Sequence, residues 1–332
     1  RIVIATNNEI DPLTKSVSIY AIPKGDLTGM TPTAANLSRF ENLDENVYGN
    51  TIQFATDLDG DTDSSFGLGT FADGTAISLI EISNLGTGGP VTISQIDVTV
   101  PAYEAADGGR QLNNITRLNN ISPDITGNVV AQGGYLWTTH AVEGSASNSA
   151  IRWYQIDEIT KNVVNTGDIE NPDIDYLYPS ISVSSAGGIA IGFTGTGLSI
   201  APSTFLTLGF TANGLDADPS VTFPQVPVLI QNGQGNYQNI ENGVNSFGEY
   251  SATRVDPENP FSFYSFQNFV PSLDVWGVNL AQARITEIAP VINADSGDNE
   301  VILRRSATDS SVAEIVIDGM VTDIYQMEVL DT

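Results

Sequence analysis

The stretch ISVSSAGGIAIGFTG (181–195) decides how this chain is read. Ile181 and Val183 alternate with serines, so one face of a strand is apolar and the other carries small polar groups. Gly187-Gly188 then interrupts the run and a second β-rich segment follows. Glycine pairs supply the positive φ angles that a tight hairpin turn needs. The segment is therefore expected to be an antiparallel hairpin.

The same pattern recurs outward from it. Asp73-Gly74 and Gly133-Gly134 also sit between short β-rich runs, and YSATRVDPENPFSFYSF forms a fourth pairing near 258. The turn centres near 74, 133, 187 and 258 are 59, 54 and 71 residues apart, about one four-stranded sheet with its loops. Further strands are expected at 1–6, 16–22, 51–56, 66–71, 76–82, 91–100, 128–132, 135–142, 150–156, 204–212, 221–230 and 275–280. No dozen residues show capped helical periodicity free of Gly or Pro. Sheets repeating at this interval point to an all-β chain, a β-propeller of five or six blades over residues 1–285. A two-sheet sandwich would not explain the longer recurrence. Ring closure would set RIVIAT (1–6) beside VWGVNL (275–280). Residues 286–332 open polar and turn-rich, then resume short strands, and are read as a C-terminal linker and β extension used in attachment or assembly.

Composition narrows the setting. Twelve Lys and Arg stand against 40 Asp and Glu, giving −28 and a pI near 4.1. Such a chain lacks the basic face that nucleic-acid binding requires. With no cysteine and one histidine, His140, thiolate-metal, disulfide, cysteine-nucleophile and histidine-cluster chemistry fall away. No run of apolar residues is long enough to span a membrane. Arg1 opens directly into a strand-like run, so the chain reads as cytosolic or as a mature or excised piece of a secreted protein. Few lysines with abundant Thr, Ser, Asn and Gly favour a secreted or cell-surface, cation-rich setting.

Several phrases carry a resemblance. GGYLWTTHAV, AIRWYQID, DYLYPSISVSS and FGEYSATRVDPENPFSFYSF, in that order, resemble a family of uncharacterised secreted bacterial propeller-like proteins. Residues 128–280 carry it well and the first hundred weakly; Glu249 stands where that family shows Asp. The tail is similar to β segments that join modules in extracellular calcium-binding proteins. The resemblance implies a propeller and secretion, and brings no activity.

The sharpest local signal is ATDLDGDTDSS, where Asp57, Asp59, Asp61 and Asp63 alternate around Gly60. Oxygen ligands at every second position on a glycine-curled loop suit Ca²⁺, although no Glu completes the helix-loop-helix pattern. A solvated acidic turn is the plain alternative. Asp295, Asp298 and Glu300 form a second acidic cluster, read as linker. Asp173, Asp175 and Tyr176 precede a strand and read first as an Asp turn with packing tyrosines; the other reading joins them with Glu249 and Arg254 in a ligand pocket at a blade mouth.

Catalytic constellations are thin. Arg110, Arg117, Arg152 and Arg254 could supply a sialidase-like carboxylate clamp, but the Ser-x-Asp-x-Gly-x-x-Trp turn is missing. No Gly-x-Ser-x-Gly elbow accompanies His140, which reads as a hydrogen-bonded structural residue. Trp137, Trp153 and Trp276 read as blade packing. Asn36, Asn114 and Asn120 open glycosylation triplets. The expectation is a calcium-stabilised, non-catalytic binding, adhesion or assembly module. Its partner would be extracellular polysaccharide, a surface protein or copies of itself. A glycosidase with paired carboxylates and a surface-layer or filament subunit are the alternatives.

Overall fold

The computed structural model describes residues 1–11, 14–60, 63–71, 73–86, 89–114, 116–119, 123–211, 215, 220–223, 226–241, 243–285, 301–305, 312–317 and 320–330. The chain forms two compact units, Arg1–Asp107 with Asn120–Glu170, and Gly108–Asn119 with Asn171–Thr332.

In the first unit, β1 (Ile2–Asp11), β2 (Thr14–Ile22) and β3 (Ser38–Asp44) make a three-stranded antiparallel sheet. Short helices α1 (Lys24–Thr28) and α2 (Glu45–Tyr48) flank β3 in the chain. The Asp44 carboxylate caps α2 by accepting from the Asn46 N–H at 2.9 Å. Two four-stranded meanders follow. One is β4 (Asn50–Asp57), β5 (Ser65–Thr70), β6 (Ala76–Ser83) and β7 (Thr92–Thr99). The other is β8 (Val129–Gln132), β9 (Tyr135–Glu143), β10 (Ser149–Asp157) and β11 (Val163–Ile169). They join through their first strands, which run parallel with Ala55 opposite Val129 and Asp57 opposite Ala131. Meanders that meet at their first strands and run outward are propeller blades. Strand β6 is apolar on both faces: Ile77 and Leu79 enter one core cluster, Ile80 and Ile82 another.

In the second unit, β12 (Asp175–Val183), β13 (Gly188–Thr196) and β14 (Ser203–Thr211) form a meander whose outer edge takes β15 (Val221–Thr222) and β16 (Val228–Gln231). A small hairpin, β17 (Ile240–Glu241) with β18 (Val244–Asn245), follows. The next meander is β19 (Ala252–Asp256), β20 (Asn259–Ser272) and β21 (Val275–Ile285). C-terminal strands β22 (Val301–Arg305), β23 (Val312–Ile317) and β24 (Met320–Leu330) extend that sheet, with β24 paired to β21 over Gln282–Ile285.

A ladder of side chains joins these two meanders. Ser251 Oγ donates to the Tyr178 carbonyl at 2.9 Å, Ser180 Oγ meets Thr253 Oγ1 at 2.8 Å, and Val255 N–H donates to Ser182 Oγ at 2.9 Å. Every second residue of YPSIS thus meets every second residue of SATRV. The serine face of the opening hairpin is therefore a buried seam. Gln267 Nε2 completes it, donating to Ser180 Oγ at 2.9 Å and Ser265 Oγ at 3.3 Å.

The fold is all-β and of β-propeller type, and the four expected hairpins are present. Gly74, Gly133, Gly134 and Gly187 all adopt positive φ. Two points differ from expectation. The turns near 133, 187 and 258 each join the first and second strands of a meander, whereas the turn near 74 joins the second and third. The equivalent first turn of that meander is the acidic 57–63 loop. RIVIAT lies in β1, which pairs with β2, and VWGVNL lies in β21, between β20 and β24; their expected pairing does not occur among the described residues.

Candidate functional site

The second unit holds a cleft of about 430 Å³ lined by Tyr237, Ser246, Phe247, Gly248, Glu249, Tyr250, Asn268, Trp276 and Val278. It is amphipathic. Tyr237 and Phe247 are buried and pack with ring centroids 5.1 Å apart. Tyr250 is 90% exposed and Trp276 is 59% exposed. Trp276 is thus no blade-packing residue. It is the second residue of β21, where Trp276, Val278 and Leu280 share an exposed face.

The cleft is built by segments far apart in sequence. Gln111 treats the Tyr237 backbone as a strand partner would: its Oε1 accepts from Tyr237 N–H at 2.8 Å and its Nε2 donates to Tyr237 O at 3.0 Å. Asn245 Nδ2 donates to the same carbonyl at 2.9 Å. Gly248 has φ +79°, and a Cβ there would sit 3.1 Å from the Tyr178 ring, so this turn demands glycine on both counts. Asn268 is only 7% exposed; its Nδ2 donates to the Tyr250 carbonyl at 3.0 Å, fixing the backbone that carries Tyr250. Among the described residues its Oδ1 accepts no hydrogen bond.

Of the expected pocket residues, only Glu249 lines this cleft. Asp175 is fully buried and ion-paired with Arg110, whose Nε lies 2.8 Å away. The Arg110 backbone N–H also donates to it at 2.7 Å. That pairing raises the Arg110 pKa and holds Gly108–Asn119 against β12. Tyr176 is buried against Phe193 and Phe205, and burial pushes its hydroxyl up to about 12. Asp173 is exposed beside them, and Arg254 is exposed and donates to the Thr253 carbonyl at 3.1 Å.

The first unit contains a different cleft, about 620 Å³, whose lining includes Lys15, Glu45, Asn50, Asp73, Asp97 and Asp124. Thr70 Oγ1 and Thr51 Oγ1 each donate to Asp124 at 3.0 Å, and Asn50 Nδ2 donates at 3.4 Å. Burial outweighs these bonds and raises its pKa, favouring the acid form. Thr51 has φ +51°, a costly conformation for a β-branched residue. No sequence pattern marks this group, because its members come from five separate segments.

The 57–63 loop is anchored on the turn of the neighbouring blade. Asp59 Oδ1 accepts from Gln132 Nε2 at 2.5 Å and Gly133 N–H at 2.8 Å, and Oδ2 accepts from Gly134 N–H at 2.9 Å. Asp57 Oδ1 accepts from the Asp59 and Gly60 N–H groups, both at 2.9 Å. The Asp63 carbonyl accepts from Leu85 N–H at 2.9 Å. With Glu158, Asp57 and Asp59 line a cavity of about 30 Å³. Yet no three acidic side chains among the described residues converge as ion ligands. Asp61 lies outside the described residues, as do Asp295, Asp298 and Glu300.

The arginines are committed elsewhere. Arg152 pairs with Asp168 at 2.6 Å and donates to the Pro101 and Ala102 carbonyls, both at 3.0 Å. Arg117 donates to the Gly108 carbonyl at 3.1 Å. His140 is fully buried, its Nδ1 2.7 Å from the Pro123 carbonyl and its Nε2 3.0 Å from Tyr154 Oη; burial lowers its pKa to about 4. It is structural. Trp137 and Trp153 are buried, as packing residues should be. Asn36 is exposed and donates to Asp26. No described helix is long and apolar enough to cross a membrane.

No family model and no curated protein matches the chain. Solved structures do match at low identity. A subtype N10 neuraminidase-like protein of A/little yellow-shouldered bat/Guatemala/060/2010 is 10% identical, with 100% of this chain and 99% of that one covered at a TM-score of 0.35. A protein of unknown function from Dyadobacter fermentans is 11% identical over 98% and 91% of the two chains, at 0.42. The β-propeller domain of the Trilobed protease from Pyrococcus furiosus is 11% identical over 98% and 93%, at 0.33.

Proposed function

We propose that the protein is a secreted or cell-surface, non-catalytic module that binds extracellular polysaccharide through the Tyr237–Trp276 cleft. The observation that carries this is the pair of exposed rings, Tyr250 and Trp276, over a cleft with a single carboxylate, Glu249. Aromatic faces cover the apolar face of a sugar ring at small entropic cost, and neighbouring polar groups fix its hydroxyls. One carboxylate is too few for the two-carboxylate hydrolysis of a glycosidic bond. The test is affinity electrophoresis in gels carrying soluble polysaccharides, chitosan and arabinan among them. Retardation by one of them is expected, with Trp276→Ala and Tyr250→Ala each weakening it by about tenfold, or ~1.4 kcal/mol. Unretarded migration in all gels, or variants that bind like the parent, would overturn the reading.

A second reading draws on the other cleft, where Glu45, Asp73, Asp97 and Asp124 line one space and Asp124 favours its acid form. That is the arrangement a glycosidase acid needs. Release of reducing ends from the bound polysaccharide, lost in Asp124→Asn, would support it; turnover unchanged by that variant would not. Calcium at the 57–63 loop belongs to the proposal as a stabiliser and depends on Asp61 joining Asp57, Asp59 and Asp63. Calorimetric heat on adding Ca²⁺, abolished in Asp59→Asn, is its test; no heat removes it.

A further inference from the structure

The lining of the Tyr237–Trp276 cleft also specifies charge. Four aromatic rings, Tyr237, Phe247, Tyr250 and Trp276, share it with one carboxylate, Glu249, and no Lys or Arg. Ser246 and the two tyrosines offer hydroxyls that both donate and accept, and the side-chain oxygens that only accept are the Glu249 carboxylate and Asn268 Oδ1. The latter belongs to a side chain more than nine-tenths buried that uses its amide nitrogen internally and leaves its oxygen without a partner among the described residues. Such a site disfavours an anion, because its lining holds a carboxylate and no cation to receive one. It suits a ligand that donates hydrogen bonds and carries positive charge. Aromatic faces attract ammonium groups through their quadrupoles, most strongly at tryptophan, and a nearby carboxylate adds direct Coulomb attraction.

We propose that this cleft recognises an organic ammonium group, with Glu249 and Asn268 as acceptors and Trp276 and Tyr250 as the cation-binding faces. The inference rests on the same site as the polysaccharide reading and narrows it to amine-bearing chains. An ammonium group can be borne by an amino sugar or by a choline-type headgroup, and the test separates them.

The measurement is isothermal titration of the full chain with glucosamine trimer, N-acetylglucosamine trimer and choline. The amine trimer is expected to bind at least about tenfold tighter than its acetylated counterpart, with an affinity that falls as salt rises. Glu249→Gln should erase that difference, and Trp276→Phe should retain more binding than Trp276→Ala. Glu258→Gln, which removes an exposed carboxylate of the same unit outside the cleft, should leave it intact. Equal affinity for the two trimers, with Trp276 still required, overturns the charge inference and spares polysaccharide binding. Choline binding that depends on Glu249 and Trp276, with neither trimer bound, upholds ammonium recognition and overturns its assignment to amine-bearing sugar chains. Equal losses in Glu258→Gln and Glu249→Gln would reduce the effect to general attraction by an acidic protein and overturn the site. Binding of none of the three overturns the ammonium inference, while retardation in a gel of another polysaccharide would still uphold polysaccharide binding.

Discussion

Gly192 lies in β13 directly over the buried seam, and replacing it with alanine probes that seam most severely. A Cβ there would sit 2.1 Å from Ser265 Oγ, 2.6 Å from Gln267 Nε2 and 3.0 Å from Thr253 Oγ1. The first two distances are too short for any real Cβ and the third is tight, so Ser265 and Gln267 must move. Moving Ser265 breaks its 3.2 Å contact with Thr253, and moving Gln267 breaks its 2.9 Å bond to Ser180. All four side chains are buried, so water cannot replace what is lost. A buried polar atom left without its partner costs ~1–3 kcal/mol, so two of them cost ~2–6 kcal/mol. Against a typical total of ~5–15 kcal/mol this is a large fraction. Urea unfolding followed by circular dichroism should show the midpoint falling by roughly 1 M or more with little change in slope. Adding Ser265→Ala removes the closest clashing atom and should recover part of the loss. A loss below about 1 kcal/mol for Gly192→Ala would refute the seam as an important contributor to stability.

Three further outcomes follow from the same geometry. His140 stays neutral when folded, with its pKa lowered to about 4 from 6.5, so the unfolded chain takes up the proton first. Its contribution is therefore present above pH 6.5 and lost as pH falls towards 4, by about 3 kcal/mol; the acid-side slope of stability should flatten in His140→Gln. Burial raises the Asp124 pKa, so the folded state favours its acid form and loses stability as pH rises through that range. The melting temperature of Asp124→Asn relative to the parent should climb from about pH 3 to about pH 7, and a constant difference would contradict this. Gln111→Ala frees the Tyr237 backbone, so ligand affinity should fall by about tenfold while the far-ultraviolet spectrum is kept. Unchanged affinity would show that Gln111 does not position the cleft.

Much of the fold is legible in the sequence because strand alternation and glycine turns are local signals. The hairpins at 133, 187 and 258 can be read from a few residues each. Even the two phrases YPSIS and GEYSATRVDP have a physical meaning, since they are the two sides of one seam. What escapes is non-local or lacks a pattern. VTFPQVPVLI reads as one strand, yet among the described residues it gives two short ones, Val221–Thr222 and Val228–Gln231. VVNTGDI shows no alternation and still forms β11, held by its neighbour β10. The candidate site is harder. Glu249 can be singled out, but Tyr237, Asn268 and Trp276 come from separate segments, and an exposed tryptophan in a strand looks like a buried one until the sheet is in place. Asp175 shows the converse: an acidic residue before a strand is consumed by Arg110, sixty-five residues earlier in the chain.

The central claim is that Trp276 meets the ligand, and its own fluorescence tests this. Trp137 and Trp153 are buried, whereas Trp276 is 59% exposed, so acrylamide quenching in this protein reports chiefly on Trp276. Saturation with an amine-bearing oligosaccharide should shield that emission, lowering the quenching constant and shifting the spectrum to the blue. In Trp276→Phe the remaining emission should be poorly quenched and indifferent to ligand. Binding that leaves the quenching of the parent protein unchanged would place the ligand elsewhere and contradict the account.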